Sequence, residues 1–163
     1  MAGTEPITDR HGEVEPMRFD DMLATVLAQP LTTLGARIVA WRQVVDLIGQ
    51  RRVTGDDPVR DRAYVLLRDL RSEVSPEIRS EAALALAGRR LPVELVAFFA
   101  EEAPQIVAPL IARARLDEQE WLGLLPALAP TMRGLLRNRR DLPDGVVRGL
   151  ASFGASDFAL DAP

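Results

Sequence analysis

The sequence has no cysteine and no lysine, and its single histidine is His11. Without cysteine the chain cannot form a disulfide, a thiolate nucleophile or a thiolate metal site, and a reducing compartment, the cytoplasm, is expected. The absence of lysine excludes a Schiff base and a P-loop. A catalytic triad or a two-histidine metal site would have to depend on His11 alone. We therefore predict that this chain is not an enzyme and that it holds no metal or other cofactor.

The chain also lacks a long apolar run and an excess of positive charge. Its longest apolar segments, Leu91–Ala100 and Ile106–Ala112, are far shorter than the ~18 residues that a membrane span needs. The N-terminus does not have the basic, apolar and small-residue order of a secretory signal. All twenty basic residues are arginine, and 24 acidic residues leave a formal net charge of −4. Because nucleic-acid-binding domains usually carry a basic excess, this charge argues against a nucleic-acid partner.

Apolar residues recur at helical spacing over most of the chain. Leu34, Ile38, Trp41, Val45 and Ile48 follow one another at three and four residues, and no window shows the alternation of a strand. We predict a flexible tail over residues 1–16, a helical domain over 17–154, and the start of a linker or C-terminal tail over 155–163. The domain is predicted to be all-α, with about nine short helices near residues 18–28, 33–50, 58–73, 76–87, 92–101, 104–114, 118–128, 131–138 and 143–153.

Capping residues mark several predicted helix starts. Asp57 and Ser75 each precede a proline, which suits the first helical position because its missing N–H is not needed there. Asp117 and Glu120 have the spacing of a capping box.

Glycines and prolines predict where helices end or bend. Gly88 and Gly154 follow apolar helical runs, where a residue in the left-handed conformation often ends a helix. Pro109 and Pro126 lie inside helical windows, and each should either bend its helix or show that the helix is shorter than predicted.

A repeat runs through the second half of the chain. Units begin at Pro76, Pro104 and Pro130, in steps of 28 and 26 residues. In each unit a short apolar helix is followed by one or two arginines and then by a second helix start, at Leu91-Pro92, Leu116-Asp117 or Leu142-Pro143. A single helical pair cannot cover its own apolar face, whereas stacked pairs can. The pattern predicts a HEAT-like helical-repeat solenoid.

These segments carry a family resemblance. The stretch from Pro76 to Pro143, and above all Ile106–Leu122, resembles an alphaproteobacterial family of unknown function built from HEAT-like repeats. Residues 18–160 also resemble the N-terminal region of soluble sensor histidine kinases from sphingomonad-type bacteria, in which a PAS domain and the kinase core would follow. The resemblance implies a regulatory context in two-component signalling. It carries over no catalytic residue.

Arginines follow the first helix of each predicted pair, and stacked units would place them along one edge. They can pair with carbonyl groups at helix ends, or they can bind an acidic protein surface or a phosphate. The candidate partner-binding residues are Arg89, Arg90, Arg113, Arg115, Arg137, Arg139 and Arg140, and Arg51 and Arg52 have a similar position.

Other polar and aromatic groups have structural interpretations. The carboxylate pairs are predicted to be helix caps and solvated turns, and they are Asp20/Asp21, Asp56/Asp57, Glu101/Glu102 and Asp117/Glu120. The aromatic residues at helical spacing are predicted to pack in the core, and they are Trp41, Phe98, Phe99 and Trp121.

The sequence as a whole favours a non-catalytic module for protein interaction or regulation. Its partner would be another protein, the PAS or kinase domains of the same polypeptide, or a second copy forming a homodimer, and no membrane contact is expected. The alternative is a HEAT-like nucleic-acid-binding protein that uses the arginine edge.

Overall fold

A computed structural model of the chain describes residues 15–50 and 57–157, and over these ranges the fold is all helical, as predicted. The predicted tail before residue 15, with His11, lies outside the described residues, as do Arg51 and Arg52. Helix α1 begins two residues inside that predicted tail. The helices are α1 (Glu15–Leu27), α2 (Leu34–Gln50), α3 (Pro58–Leu70), α4 (Pro76–Leu86), α5 (Val93–Ala100), α6 (Pro104–Arg113), α7 (Glu118–Leu124), α8 (Pro130–Arg137), α9 (Asp144–Ser152) and a short final turn, α10 (Gly154–Asp157).

The predicted caps form at three of these helix starts. The Asp57 side chain accepts a hydrogen bond from the backbone N–H of Val59 at 2.9 Å, and Ser75 caps α4 in the same way. At α7 the capping box is reciprocal: Asp117 accepts from the Glu120 backbone N–H at 2.9 Å, and Glu120 accepts from that of Asp117 at 2.8 Å. These side chains satisfy backbone donors that have no partner within their own helix.

The two glycines predicted to end helices behave differently. Gly88 has a φ of +80° and follows α4, so it adopts the left-handed conformation that was predicted. The prediction for Gly154 is wrong, because Gly154 begins α10 and does not end α9. Phe153 before it has φ −90° and ψ 0°, a right-handed helical conformation that lets the chain continue into another helical turn.

The two internal prolines also have different effects. Pro126 lies in a 3₁₀ turn, Leu125–Ala127, so the helix predicted over 118–128 ends at Leu124. Pro109 lies inside α6, which runs from Pro104 to Arg113 without interruption. Pro109 leaves the carbonyl of Gln105, an exposed residue, without its helical donor.

From α4 onward each helix packs against the second helix along the chain. One layer contains α4, α6, α8 and α10, each in contact with the next member, and a second layer contains α5, α7 and α9. At the other end α1, α2 and α3 pack against one another, and α2 also contacts α4 and α5. Because each helix lies beside its counterpart in the next unit, equivalent loops of successive units come close together.

Aromatic side chains join the N-terminal helices to the repeat. The ring centroid of Trp41 lies 6.5 Å from that of Phe98 and 6.1 Å from that of Phe99. Its indole Nε1 donates to the carbonyl oxygen of Leu67 at 3.3 Å. These rings and Trp121 are buried, so the prediction that the aromatic residues form core is confirmed.

One residue differs from the predicted apolar stripe. Leu34 was placed on the buried stripe of α2 but is 51% exposed. Leu34 is the first residue of α2, and no residue in that first turn is buried. The buried side of the helix begins at Ala40. Within residues 15–50 and 57–157, no helix combines the length and apolarity that a membrane crossing would require.

Candidate functional site

The loops that join the first and second helices of the three units stack along one edge. The backbones of Arg90 and Arg115 form a parallel bridge, which places the α4–α5 loop directly beside the α6–α7 loop. Arg139, in the α8–α9 loop, donates from Nη1 to the carbonyl oxygens of Ile111 at 3.1 Å and Ala114 at 2.8 Å. The third loop is thereby tied to the second. We call the side chains on these three loops and on the helix ends beside them the arginine edge.

Three of the seven predicted arginines have structural roles, and Arg139 is one of them. Arg89 donates from Nη2 to the carbonyl oxygen of Gly49, at the end of α2, at 3.1 Å. Arg137 donates from Nη2 to the carbonyl oxygen of Leu150 at 2.9 Å. Carbonyl groups in the last turn of a helix lack an internal donor, so these arginines act as caps between helices.

The other four predicted arginines point outward. Arg90, Arg113, Arg115 and Arg140 are all exposed. No carboxylate in the described part of the chain lies within 4.0 Å of their guanidinium nitrogens. We call these four residues the exposed arginine set.

The acidic residues at the start of α7 are already engaged with backbone donors. Asp117 and Glu120 form the capping box described above. Glu118 reaches across to α9, where its Oε2 accepts from the backbone N–H of Gly145 at 3.2 Å. These carboxylates therefore offset the partial positive charge of helix N-termini and do not neutralise the exposed arginine set.

Asp141 is the acidic residue of the third loop, and Arg139 binds it with two hydrogen bonds. Arg139 Nε lies 2.9 Å from Asp141 Oδ1, and Nη2 lies 2.7 Å from Oδ2. These bonds lower the pKa of the Asp141 carboxyl, and the charges of Arg139 and, to a smaller extent, Arg115 lower it further. The ionised form of Asp141 is thus favoured, and both of its carboxylate oxygens accept hydrogen bonds from Arg139.

A groove of about 360 Å³ opens between the second and third loops. Arg115 and Arg139 line it, and Leu116 and Leu142 contribute apolar surface. The Arg139 guanidinium carbon lies 5.6 Å from the centroid of the Trp121 ring, which forms part of the groove wall. The groove lining therefore combines two arginines, the Asp141 carboxylate that Arg139 binds, and apolar side chains.

A buried ionic cluster that the sequence pattern did not predict lies elsewhere in the fold. Glu101 and Glu102 were predicted to occupy a solvated turn, but the Glu102 side chain is only 3% exposed. It pairs with Arg79, and its Oε1 lies 3.4 Å from Arg71 Nε. Arg71 also pairs with Glu101 at 2.8 Å and lies 4.3 Å from the centroid of the Phe98 ring. The prediction is wrong for Glu102 because partners from α3 and α4 enclose it.

An equivalent pair closes the last unit. Arg79 is the fourth residue of the unit that begins at Pro76, and Arg133 is the fourth of the unit that begins at Pro130. Arg133 binds Asp157, 24 residues later, as Arg79 binds Glu102, 23 residues later. The residue at this position in the middle unit is Val107, which is fully buried. Asp157 therefore lies within the folded domain and not in the predicted linker.

The described residues contain no cluster of carboxylates that could hold a metal ion, because no three histidine, aspartate or glutamate side chains among them are grouped in that way. Asp57 and Asp117 are helix caps, as predicted, whereas Asp56 lies outside the described residues.

Comparison of the chain with protein-family profiles, with curated proteins and with solved structures gives no match.

Proposed function

We propose that this chain is a HEAT-like helical-repeat solenoid that works as a non-catalytic protein-interaction module. The observation that supports the proposal most is the stack of three equivalent loops with four exposed arginines on it. In a solenoid each unit contacts mainly its neighbours, and the loops and outer faces are left for partners. The packing of α4 with α6 and α8, and of α5 with α7 and α9, agrees with such an arrangement.

Some arginines of this edge bind other parts of the fold and some are exposed, and this difference supports a binding role for the edge. Arg89, Arg137 and Arg139 bind backbone carbonyl groups at or beside helix ends, so these three side chains have structural partners. The exposed arginine set adds charge without a structural partner in the described residues. Repulsion between like charges on neighbouring loops disfavours folding slightly, so a binding role explains their presence better than a packing role.

The regulatory context is also part of the proposal. The resemblance to the N-terminal region of sensor histidine kinases favours an input or docking module in two-component signalling, located in the cytoplasm. The partner would be a separate protein, a PAS or kinase domain of the same polypeptide, or a second copy of the chain.

The exposed arginine set also favours a second candidate, a nucleic-acid-binding repeat protein. Arginine forks bind phosphate as well as carboxylate. The net charge of −4 opposes this candidate, because non-specific nucleic-acid binding depends on neutralising many phosphates.

Site-specific photo-crosslinking in cells that produce the protein naturally tests the interaction role. A benzophenone amino acid would replace Ala112 or Asn138, two exposed residues beside the arginine edge, and Val65 on α3 would carry it as the control. We expect discrete protein adducts from the two edge positions and none from Val65. An adduct of twice the chain's mass would indicate a homodimer. Equal crosslinking from all three positions, or none from the edge, would overturn the proposal.

A further inference from the structure

The arginine edge has a specific chemical character that points to one class of partner. We infer that it binds a protein segment rich in aspartate and glutamate. This inference rests on the interaction role proposed above and specifies its partner. It starts from the contrast between the exposed arginine set and four acidic side chains beside it, Asp117, Glu118, Glu120 and Asp141, which are bound within the fold.

The acidic side chains at the start of α7 and in the third loop are bound within the fold, whereas no carboxylate among the described residues lies within 4.0 Å of the exposed arginine set. Asp141 receives two hydrogen bonds from Arg139, and Asp117, Glu118 and Glu120 accept from backbone N–H groups. A guanidinium presents five N–H donors in a planar fork that matches a carboxylate. The unfilled donors on this edge are therefore best complemented by carboxylates supplied from outside.

A backbone bridge places two of these arginines side by side. Arg90 and Arg115 are paired across a parallel bridge, and bridged residues lie about 4.8 Å apart with side chains on the same face. Their two positive charges therefore start from neighbouring backbone positions, and a carboxylate placed between the side chains would be attracted by both. Arg113 at the end of α6 and Arg140 in the third loop add two more exposed positive charges to the arginine edge.

The observations favour a protein segment over a nucleic acid. Single-stranded nucleic acids usually stack their bases on exposed aromatic rings, but Trp121, the aromatic residue of the groove, is only 1% exposed. Four exposed arginines cover a short edge, and the rest of a −4 chain would repel a long polyanion. The groove beside Arg115 also has apolar walls at Leu116 and Leu142, which an apolar side chain next to the acidic residues would fill.

The test measures binding of fluorescein-labelled octaglutamate to the full 163-residue protein by anisotropy, with octaglutamine as the neutral probe. The edge variant is R90E/R115E, and the matched control is R62E/R148E, which changes two exposed arginines outside the three loops. Both double variants move the formal net charge from −4 to −8, so a difference between them reports position and not total charge. Circular dichroism confirms that each variant is folded, and R113E/R140E serves as a second edge variant.

We expect octaglutamate, but not octaglutamine, to bind, and R90E/R115E to weaken that binding at least about tenfold. R62E/R148E should change it by less than about threefold, and raising the salt concentration should weaken the wild-type complex. An equal loss in both double variants, or no binding of octaglutamate by the wild type, would overturn the inference. Tighter, edge-dependent binding of a 20-base-pair DNA duplex would overturn it in favour of nucleic acid. Crosslinks from Ala112 and Asn138 without octaglutamate binding would leave the interaction role intact and overturn only the acidic partner.

Discussion

Arg133 and Asp157 form a buried two-point contact between α8 and α10. Arg133 Nε lies 2.9 Å from one carboxylate oxygen of Asp157 and 3.0 Å from the other. The Asp157 side chain is 1% exposed, and Arg137 binds the same carboxylate. Arg133 also donates to the carbonyl oxygen of Leu125, in the 3₁₀ turn after α7. One arginine thus connects α10 to α8 and to the turn that follows α7.

This contact predicts a defined pH dependence of stability. The hydrogen bond from Arg133, and then that from Arg137, lowers the pKa of Asp157 from its ordinary 3.8 to about 2. Because the folded-state pKa lies below the unfolded one, the contact stabilises the fold above about pH 4 and is lost as the pH falls towards 2. Urea unfolding of the wild type and of Asp157→Asn should therefore differ in midpoint at pH 7 and converge near pH 2. A midpoint difference that stays constant over this range would contradict the assigned role of Asp157.

Adjacent glutamates on α5's C-terminal turn should differ sharply in their effect on stability. Glu102 is 3% exposed in its side chain, whereas that of Glu101 is 59% exposed. Glu102→Ala would leave Arg79 without its carboxylate in a mostly buried site, which we expect to destabilise the protein by about 3 kcal/mol. Glu101→Ala removes an exposed pair and should cost less than about 1 kcal/mol. Chemical denaturation at pH 7 measures both, and similar losses would refute the buried cluster.

The contact between α7 and α9 predicts that two glycines respond oppositely to alanine. A Cβ at Gly149 would lie 2.9 Å from Leu122 Cδ2 and 3.1 Å from Leu125 Cδ1, whereas a Cβ at Gly134 in α8 meets nothing within 4 Å. Gly134→Ala should stabilise the helix by roughly 0.5–1 kcal/mol because alanine loses less backbone entropy. Gly149→Ala should be roughly 1–2 kcal/mol less stable than Gly134→Ala because the leucines must move. Equal free energies of unfolding would mean that α7 and α9 are not in close contact.

Local features of the fold could be predicted from the sequence because they depend on neighbours a few residues away. The caps at Asp57, Ser75 and Asp117 are of this kind, as is the left-handed Gly88. Gly154 was predicted incorrectly because its conformation depends on α10, which Arg133 and Arg137 hold in place through a distant contact.

The candidate site could be predicted only in part, for the same physical reason. The repeat indicated that arginines would gather on one edge, and the bridge between Arg90 and Arg115 brings two of them together. Which arginines are structural depends on partners far along the chain: Arg89 binds Gly49, 40 residues earlier, and Arg139 binds Ile111, 28 residues earlier. The spacing of residue types along the chain does not indicate which distant residues come into contact. The burial of Glu102 was not predicted for the same reason, because its partners lie far away in the sequence.

Cysteine crosslinking can show whether equivalent loops of successive units lie side by side. The chain has no native cysteine, so the double variant R90C/R115C contains only the two introduced thiols. Bridged residues about 4.8 Å apart are within the Cα separation that a disulfide accepts. The control R90C/R140C joins the first and third loops, between which the second loop lies. We predict rapid intramolecular disulfide formation in the folded R90C/R115C protein and little in R90C/R140C, measured by mass spectrometry under mild oxidation. Failure of R90C/R115C to crosslink while folded, or equal crosslinking of the two variants, would contradict the stacked-loop arrangement.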